Sequence, residues 1–264
     1  MWGGLELIDT AEIIQPIKAL QAQGGEFIIA TGGALGPYLE HLCGTSDDLL
    51  RAYKKVLDTV GTNHLDVDVE APINNDLVNQ ALAKLQQERP NTTVSYTLMI
   101  QGEDYGLTPS LGVDVLKSAK ANGVRVDVVN AMTMEFGASG EKPWGESVIG
   151  AAESVLRQMK EEVWPEKSDA DLRKMLGVTP MIGRNFNRKV FQTSDARTVV
   201  DWANRNQIAL LSFWSSGRDN GGCPDSSAAP SPYCSGTPQN DFEFTQIFQG
   251  FTGGSNEQES SSCQ

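Results

Sequence analysis

Basic residues are scarce in this 264-residue chain: 21 Lys and Arg stand against 34 Asp and Glu, a net charge of −13. Such an acidic chain repels a polyphosphate backbone, which argues against a nucleic-acid-binding role. There are two histidines and four scattered cysteines, too few and too dispersed for a zinc-ligand set, so no metal is expected. No uninterrupted apolar run of about 18 residues is present, so neither a transmembrane helix nor a membrane partner is expected. No charged, then apolar, then small-residue leader follows Met1, so no signal peptide is expected in this chain. Neither a Gly-x-Gly-x-x-Gly turn nor a Walker-type lysine loop follows any strand-like segment, and no cofactor is expected. What remains, 39% hydrophobic and 21% charged residues, is the composition of a globular chain long enough for one large domain or two small ones.

Strand-like and helix-like segments alternate. The short apolar run Glu26–Thr31 ends at Gly32-Gly33, and Ser46–Val60 follows with helical periodicity from a Ser46-Asp47-Asp48 start. Strands are expected at 64–70, 93–100, 125–134, 174–182 and 208–214. Helices are expected at 9–23, 74–88, 109–121, 143–163, 195–206 and 241–251. Strands separated by helices imply right-handed βαβ units and a parallel sheet, either open and doubly wound or closed as a barrel. The missing phosphate loops weaken the open-sheet reading. Residues 252–264 read as a disordered polar tail. Cys223 and Cys234 bracket a Pro- and Ser-rich loop that cannot build its own core; a disulfide between them is expected, two reduced surface thiols being the alternative. Asn91-Thr92-Thr93 is a glycosylation sequon, relevant only to an exported protein.

The informative stretch is Leu65-Asp66-Val67-Asp68-Val69-Glu70. Both faces of a parallel strand are ordinarily covered and apolar, yet here three acids alternate with Leu and Val. Side chains alternate across a strand, so Asp66, Asp68 and Glu70 share one face and, in a barrel, point inward. Carboxylates so placed cannot all ionise cheaply, and a carboxyl kept protonated near neutrality is what a general acid needs. Glu70, at the C-terminal end of its strand where barrel sites lie, is the best acid candidate, with Asp68 behind it. The competing readings are an exposed strand with solvated acids and a Mg²⁺ site; metal ligands in barrels ordinarily come from several strand ends rather than one.

This acidic strand resembles the Asp-x-x-Asp-x-Asp-x-Glu signature of glycoside hydrolase family 18, the chitinases, with Asn63 in place of its first Asp. Ala30-Thr31-Gly32-Gly33 resembles the family's Ser-x-Gly-Gly strand end. Ser95–Leu98, Val128–Met134, Gly177–Gly183 and Leu211–Ser215 resemble its later strands in matching order. The likeness covers about residues 2–251 and is nearest the small secreted bacterial and fungal type.

The resemblance implies a (β/α)8 TIM barrel hydrolysing β-1,4-linked N-acetylglucosamine polymers, with chitin or chito-oligosaccharides as partner and a monomer as the working form. It implies substrate-assisted catalysis: Glu70 protonates the leaving oxygen, the sugar's own acetamido carbonyl attacks the anomeric carbon, Asp68 orients the acetamido N–H, and Asp66 tunes Asp68. Trp214 would floor the sugar subsite, a core tryptophan being the bland alternative. Met132 and Met134 would line the site, with ordinary packing as their alternative, and Thr31, Gly32 and Gly33 would let backbone approach the acids. Gln101, Tyr105, Trp144, Asn185 and Arg218 fall on loops after strands, the functional side of a barrel. Relatives of this type read Met-x-Met-Asp-Tyr where this chain has Glu135 and Phe136, so a hydroxyl able to meet the acetamido carbonyl is lost, with Tyr96 and Tyr105 as candidates to replace it. In the family the Gly-Gly strand is the third, whereas only one helix precedes it here. The expectation is therefore an incomplete barrel of about six of eight strand–helix units, residues 1–251 lacking the first strands, with a secreted full-length parent and Cys43 without its partner. A chito-oligosaccharide-binding pseudoenzyme, an inactive fragment and an endo-β-N-acetylglucosaminidase are the alternatives.

Overall fold

The computed structural model describes residues 2–138, 140–223 and 230–253. The first half runs α1 (Ala11–Gln21), β1 (Ile28–Gly32), α2 (Leu39–Leu42), α3 (Ser46–Val60), β2 (His64–Val69), α4 (Asn75–Glu88) and β3 (Thr93–Gly102). It continues β4 (Gly106–Leu107), α5 (Asp114–Ala121), β5 (Val128–Met132), α6 (Trp144–Gln158), α7 (Asp169–Arg173) and β6 (Leu176–Thr179). The last elements are β7 (Gly183–Arg184), β8 (Val190–Phe191), α8 (Thr193–Asn206), β9 (Leu210–Leu211) and α9 (Glu243–Phe248).

Local signals set the main boundaries. The Thr45 hydroxyl accepts the Asp48 N–H at 3.1 Å, Asp47 and Asp48 sit at the positive end of the α3 dipole, and Gly61 at φ 75° closes the helix. Asn74 likewise accepts the Leu77 N–H at 3.1 Å to start α4. Two expected continuous helices change pitch: Pro109–Val113 is a π-helical turn leading into α5, and Met159–Val163 is one following α6. The expected strands at 125–134, 174–182 and 208–214 are shorter at both ends in the structure, where pairing covers only 128–132, 176–179 and 210–211.

Six strands pair in parallel in the order β1-β2-β3-β5-β6-β9, with β4 folded back antiparallel on β3 and β7–β8 forming a separate hairpin. Among the described residues this is an incomplete (β/α)8 barrel, a curled parallel sheet with helices on its outer face. Register aligns Gly32 with Asp68, Asp68 with Thr97, Thr97 with Asn130, and Asn130 with Gly177. The alternate residues Leu65, Val67, Val69, Val94, Tyr96, Leu98, Val129, Ala131 and Val178 are buried in the core with α3, α4, α5, α6 and α8. One apolar core runs from Ile29 to Phe248.

At the β1 edge, Ile29 and Thr31 are buried while Ile28 is 43% exposed. Helix α1 has no fully buried residue; Ile14 and Ile17 pack half-buried against the core, and Lys18 Nζ and Gln21 Nε2 donate to the Val60 carbonyl at the end of α3, at 2.7 and 3.2 Å. At the other end, Cys223 and Cys234 are disulfide-bonded with Cα atoms 5.5 Å apart. Cys43 is free among the described residues. Of the expected tail, 254–264, including Cys263, lies outside the described residues, as does 224–229 within the disulfide loop.

Candidate active site

The three acids follow one another along β2. Asp66 is buried in mid-strand, Asp68 is half-buried near its end, and Glu70 stands one residue beyond Val69. Asp66 is fully engaged: Ser95 Oγ donates to Oδ1 and Thr97 Oγ1 to Oδ2 at 2.8 Å. The network runs on across the inner face, Asn130 Nδ2 donating to Thr97 Oγ1 at 3.0 Å and Thr179 Oγ1 to Asn130 Oδ1 at 2.8 Å. His64 Nε2 meets Ser95 Oγ at 2.9 Å, and burial holds its pKa below the usual imidazole value. A row of polar side chains from β2, β3, β5 and β6 therefore lines the inside of the sheet beneath the acids.

Asp68 has no such partners. Its Oδ1 is buried without a hydrogen bond. Its pKa is pushed up to about 7, by burial first and then by the neighbouring Glu70 and Asp66 charges. Burial raises the Asp66 carboxyl against the pull of its two hydroxyl donors, and burial also raises Glu70. The sequence points to Glu70 as the acid with the raised pKa; in the structure all three carboxyls are raised, and Asp68, more enclosed than Glu70, has a carboxylate on either side of it.

Gly32 is required by close approach. At φ 90° its backbone lies so near Asp68 that an added Cβ would sit 2.0 Å from the Asp68 carbonyl oxygen. Next to it, the Gly33 N–H donates to that oxygen at 3.0 Å. The two glycines thus seat the β1 end directly against the β2 end.

Trp214 is 42% exposed, bridged to Met181 at the end of the sheet, so the core-tryptophan alternative is set aside. The fully buried Arg218 has its Cζ 5.3 Å from the Trp214 ring centroid. Its guanidinium donates to the carbonyls of Ile182, Arg184 and Ser231, so it ties this loop to the strand ends; burial draws its pKa down to about 10. Asp219 accepts the N–H groups of Phe244 and Thr245 at 3.0 and 2.7 Å and caps α9. Met132 ends β5 with Thr97's network beside it, and Met134 lies past the strand in a bend rather than on it. Gln101 is exposed near the end of β3, and Tyr105 is exposed beyond it. Trp144 and Asn185 are buried, the latter donating to the Met181 and Gly183 carbonyls.

Two expectations about the lost tyrosine change. Phe136 is 3% exposed and stacks on Trp144 with ring centroids 4.5 Å apart, so it is a packing residue. Tyr96 is on the outer face, where its hydroxyl donates to Asn79 of α4, and it cannot supply the missing hydroxyl inside the sheet. Glu135 accepts the Phe186 and Asn187 N–H groups at 2.7 and 2.8 Å and so braces the β7–β8 hairpin.

No protein-family model matches the chain. The catalytic domain of a hyperthermophilic chitinase from Pyrococcus furiosus is 38% identical, with a TM-score of 0.84 over 95% of this chain and 81% of that domain. Catalytic-site mutants of active domain 2 of that organism's thermostable chitinase, complexed with chito-oligosaccharides, superpose with a TM-score of 0.85 over 95% of this chain and 79% of theirs, at 38% identity. This chain belongs to the family 18 chitinases. Curated relatives agree: Endochitinase 11 of Metarhizium anisopliae is 35% identical over 221 residues, and an Escherichia coli K12 protein named "Probable bifunctional chitinase/lysozyme" is 34% identical over 236. The matches take in 77% and 83% of this chain but only 42% and 26% of those relatives' lengths. Among the described residues no group of three or more His, Cys, Asp or Glu side chains is placed to hold a metal ion, and no helix is long and apolar enough to cross a membrane.

Within this family 18 fold, the polar row of Ser95, Thr97, Asn130 and Thr179 was not singled out from the sequence. A signal was present: Thr93, Ser95 and Thr97 alternate with Val94, Tyr96 and Leu98 in the same period of two as the acids. Arg218 carried no such signal, since its three carbonyl partners are brought together only by folding.

Proposed function

We propose that this chitinase-family chain hydrolyses β-1,4-linked N-acetylglucosamine polymers by substrate-assisted retaining catalysis, with Glu70 as general acid and then base. The observation that carries the reading is that one short stretch supplies all three acids in sequence, Asp66 and Asp68 from β2 and Glu70 immediately beyond its C-terminal end. A two-carboxylate glycosidase needs a second carboxylate across the bond; family 18 is an exception because the nucleophile is the substrate's acetamido oxygen. In this scheme Glu70 protonates the glycosidic oxygen as the acetamido carbonyl closes on the anomeric carbon. The oxazolinium ion so formed is opened by a water that Glu70 deprotonates. Asp68, with its buried, unpartnered Oδ1 and a pKa near 7, is suited to take the acetamido N–H. Asp66, anchored by Ser95 and Thr97, fixes the field felt by Asp68. The exposed Trp214 face, backed by Arg218, suits the C–H face of a pyranose. Met132 and Gln101 would line the site's margins. The Cys223–Cys234 disulfide supports an oxidising, exported setting for the protein.

The test is turnover of a fluorogenic chitobioside. Glu70→Gln is expected to lower kcat about 10³-fold, within the range for loss of general acid–base catalysis, while chito-oligosaccharide binding persists. Wild-type turnover in that variant, or a strict requirement for a divalent metal, would sink the scheme. Cleavage of a high-mannose glycopeptide in preference to chitin would reassign the substrate to N-glycan cores.

A further inference from the structure

Beyond Val69 the β2 chain loses its neighbour on the β1 side, since β1 pairing ends with Gly32 opposite Asp68. The backbone groups of Glu70 and Pro72 on that side are met by side chains instead. The Tyr38 hydroxyl oxygen accepts the Glu70 N–H at 3.0 Å. His41 Nε2 lies 2.8 Å from the Pro72 carbonyl oxygen; a carbonyl only accepts, so this nitrogen carries the proton and donates. The Tyr38 and His41 rings stack on each other, 4.8 Å between centroids and 13° between planes, so the two contacts act through one rigid pair. The Gly33 N–H to Asp68 carbonyl bond extends the series to three successive alternate residues, 68, 70 and 72.

The segment bearing this pair is itself anchored. Glu40, buried between Tyr38 and His41, accepts hydroxyl hydrogens from Thr31 of β1 at 2.6 Å and Tyr53 of α3 at 2.7 Å. Tyr38 is only 3% exposed. The loop between β1 and α3 therefore continues the sheet edge with side chains in place of a strand.

We propose that Tyr38 and His41 are positioning residues for Glu70, holding the main chain on both sides of it so that its carboxyl is aimed at the leaving oxygen. This rests on Glu70 being the general acid. A misaimed acid costs most when the leaving group needs protonation and little when it departs readily, whereas a loss of folded protein lowers every rate equally.

The experiment compares unactivated chitotetraose with a 2,4-dinitrophenyl chitobioside in wild type, Tyr38→Phe, His41→Leu, His41→Gln and Glu70→Gln, with melting curves for each. Tyr38→Phe and His41→Leu are expected to lower kcat/KM, which reads the steps up to leaving-group departure and not the later base step, about tenfold on chitotetraose and less than about threefold on the aryl glycoside. His41→Gln, which keeps a donor for Pro72, is expected to recover most of the loss. Should Tyr38→Phe fail to fold, the exposed His41 pair of variants decides alone. Equal losses on both substrates, or wild-type rates on both while Glu70→Gln is inactive, would overturn the positioning role and leave the acid assignment standing. An active Glu70→Gln would overturn both.

Discussion

Strands β1 and β2 are paired residue by residue and have opposite inner faces. On β2 the inner face carries His64, Asp66 and Asp68, with Glu70 just beyond its end, and on β1 it carries Ile28 and Ala30, both exposed. The outer faces are both covered, that of β2 by apolar contacts of Leu65, Val67 and Val69 and that of β1 by Ile29 and the Thr31 hydroxyl bonded to Glu40. Burial on the inside is set by what stands opposite: β2 lies between two strands and above a polar row, whereas β1 is an edge of the described sheet. Charge is thus tolerated where hydroxyls and amides can answer it, and apolar surface is left where no neighbour covers it.

The sharpest way to break this contrast is to neutralise the acid that lacks partners. Asp68→Asn is expected to lower turnover about 10²-fold, the scale for removing one preorganised electrostatic group. It should also raise stability in a pH-dependent way, as relief of a destabilised active-site group does. The folded-state pKa of Asp68, about 7, lies above the ordinary aspartate value of 3.8. Between those two values the folded chain binds more protons than the unfolded chain, so this group's contribution declines as pH rises through that window. Asp68→Asn should therefore match wild type in thermal melts near pH 4 and exceed it at pH 8. A variant that melts lower at pH 8 would show that the Asp68 charge is compensated.

A smaller effect tests the answering groups. Ser95→Ala and Thr97→Ala each remove one donor to Asp66 and are expected to cost about 1–3 kcal/mol in denaturant unfolding, the penalty for an unsatisfied buried polar group. Less again is expected of Trp214→Ala, about 1 kcal/mol weaker chito-oligosaccharide binding by calorimetry, with the melting temperature little changed because the ring is exposed. The smallest belongs to the edge. Ile28→Thr should alter stability by no more than about 0.5 kcal/mol and lower binding of an apolar dye. A loss of several kcal/mol there would mean that the β1 inner face is covered in solution.

Much of this arrangement was legible before folding. Period-two alternation in 65–70 placed the acids on one face, because successive strand side chains must point oppositely. The alternation of strand and helix segments, with Ser46-Asp47-Asp48 as a helix start, gave the α/β class. The Cys223–Cys234 pairing was legible from the loop it encloses. The roles of Phe136 and Tyr96 were not, since one strand's pattern does not say which helix its outer face meets. Nor were the short β4 and the β7–β8 hairpin, whose two-residue strands carry no period to read.

By itself, then, the sequence determined which residues alternate, where helices start and stop, and that Asp66, Asp68 and Glu70 travel together, because these follow from geometry within a few residues. Only the tertiary structure decided that Asp66 is answered by hydroxyls on β3, that Asp68 is left without a partner, that Arg218 backs Trp214, and that Tyr38 and His41 grip the main chain around Glu70. Those contacts join positions about 30 or more residues apart or depend on a loop's path, and they exist only once strand register and helix packing have set the distances.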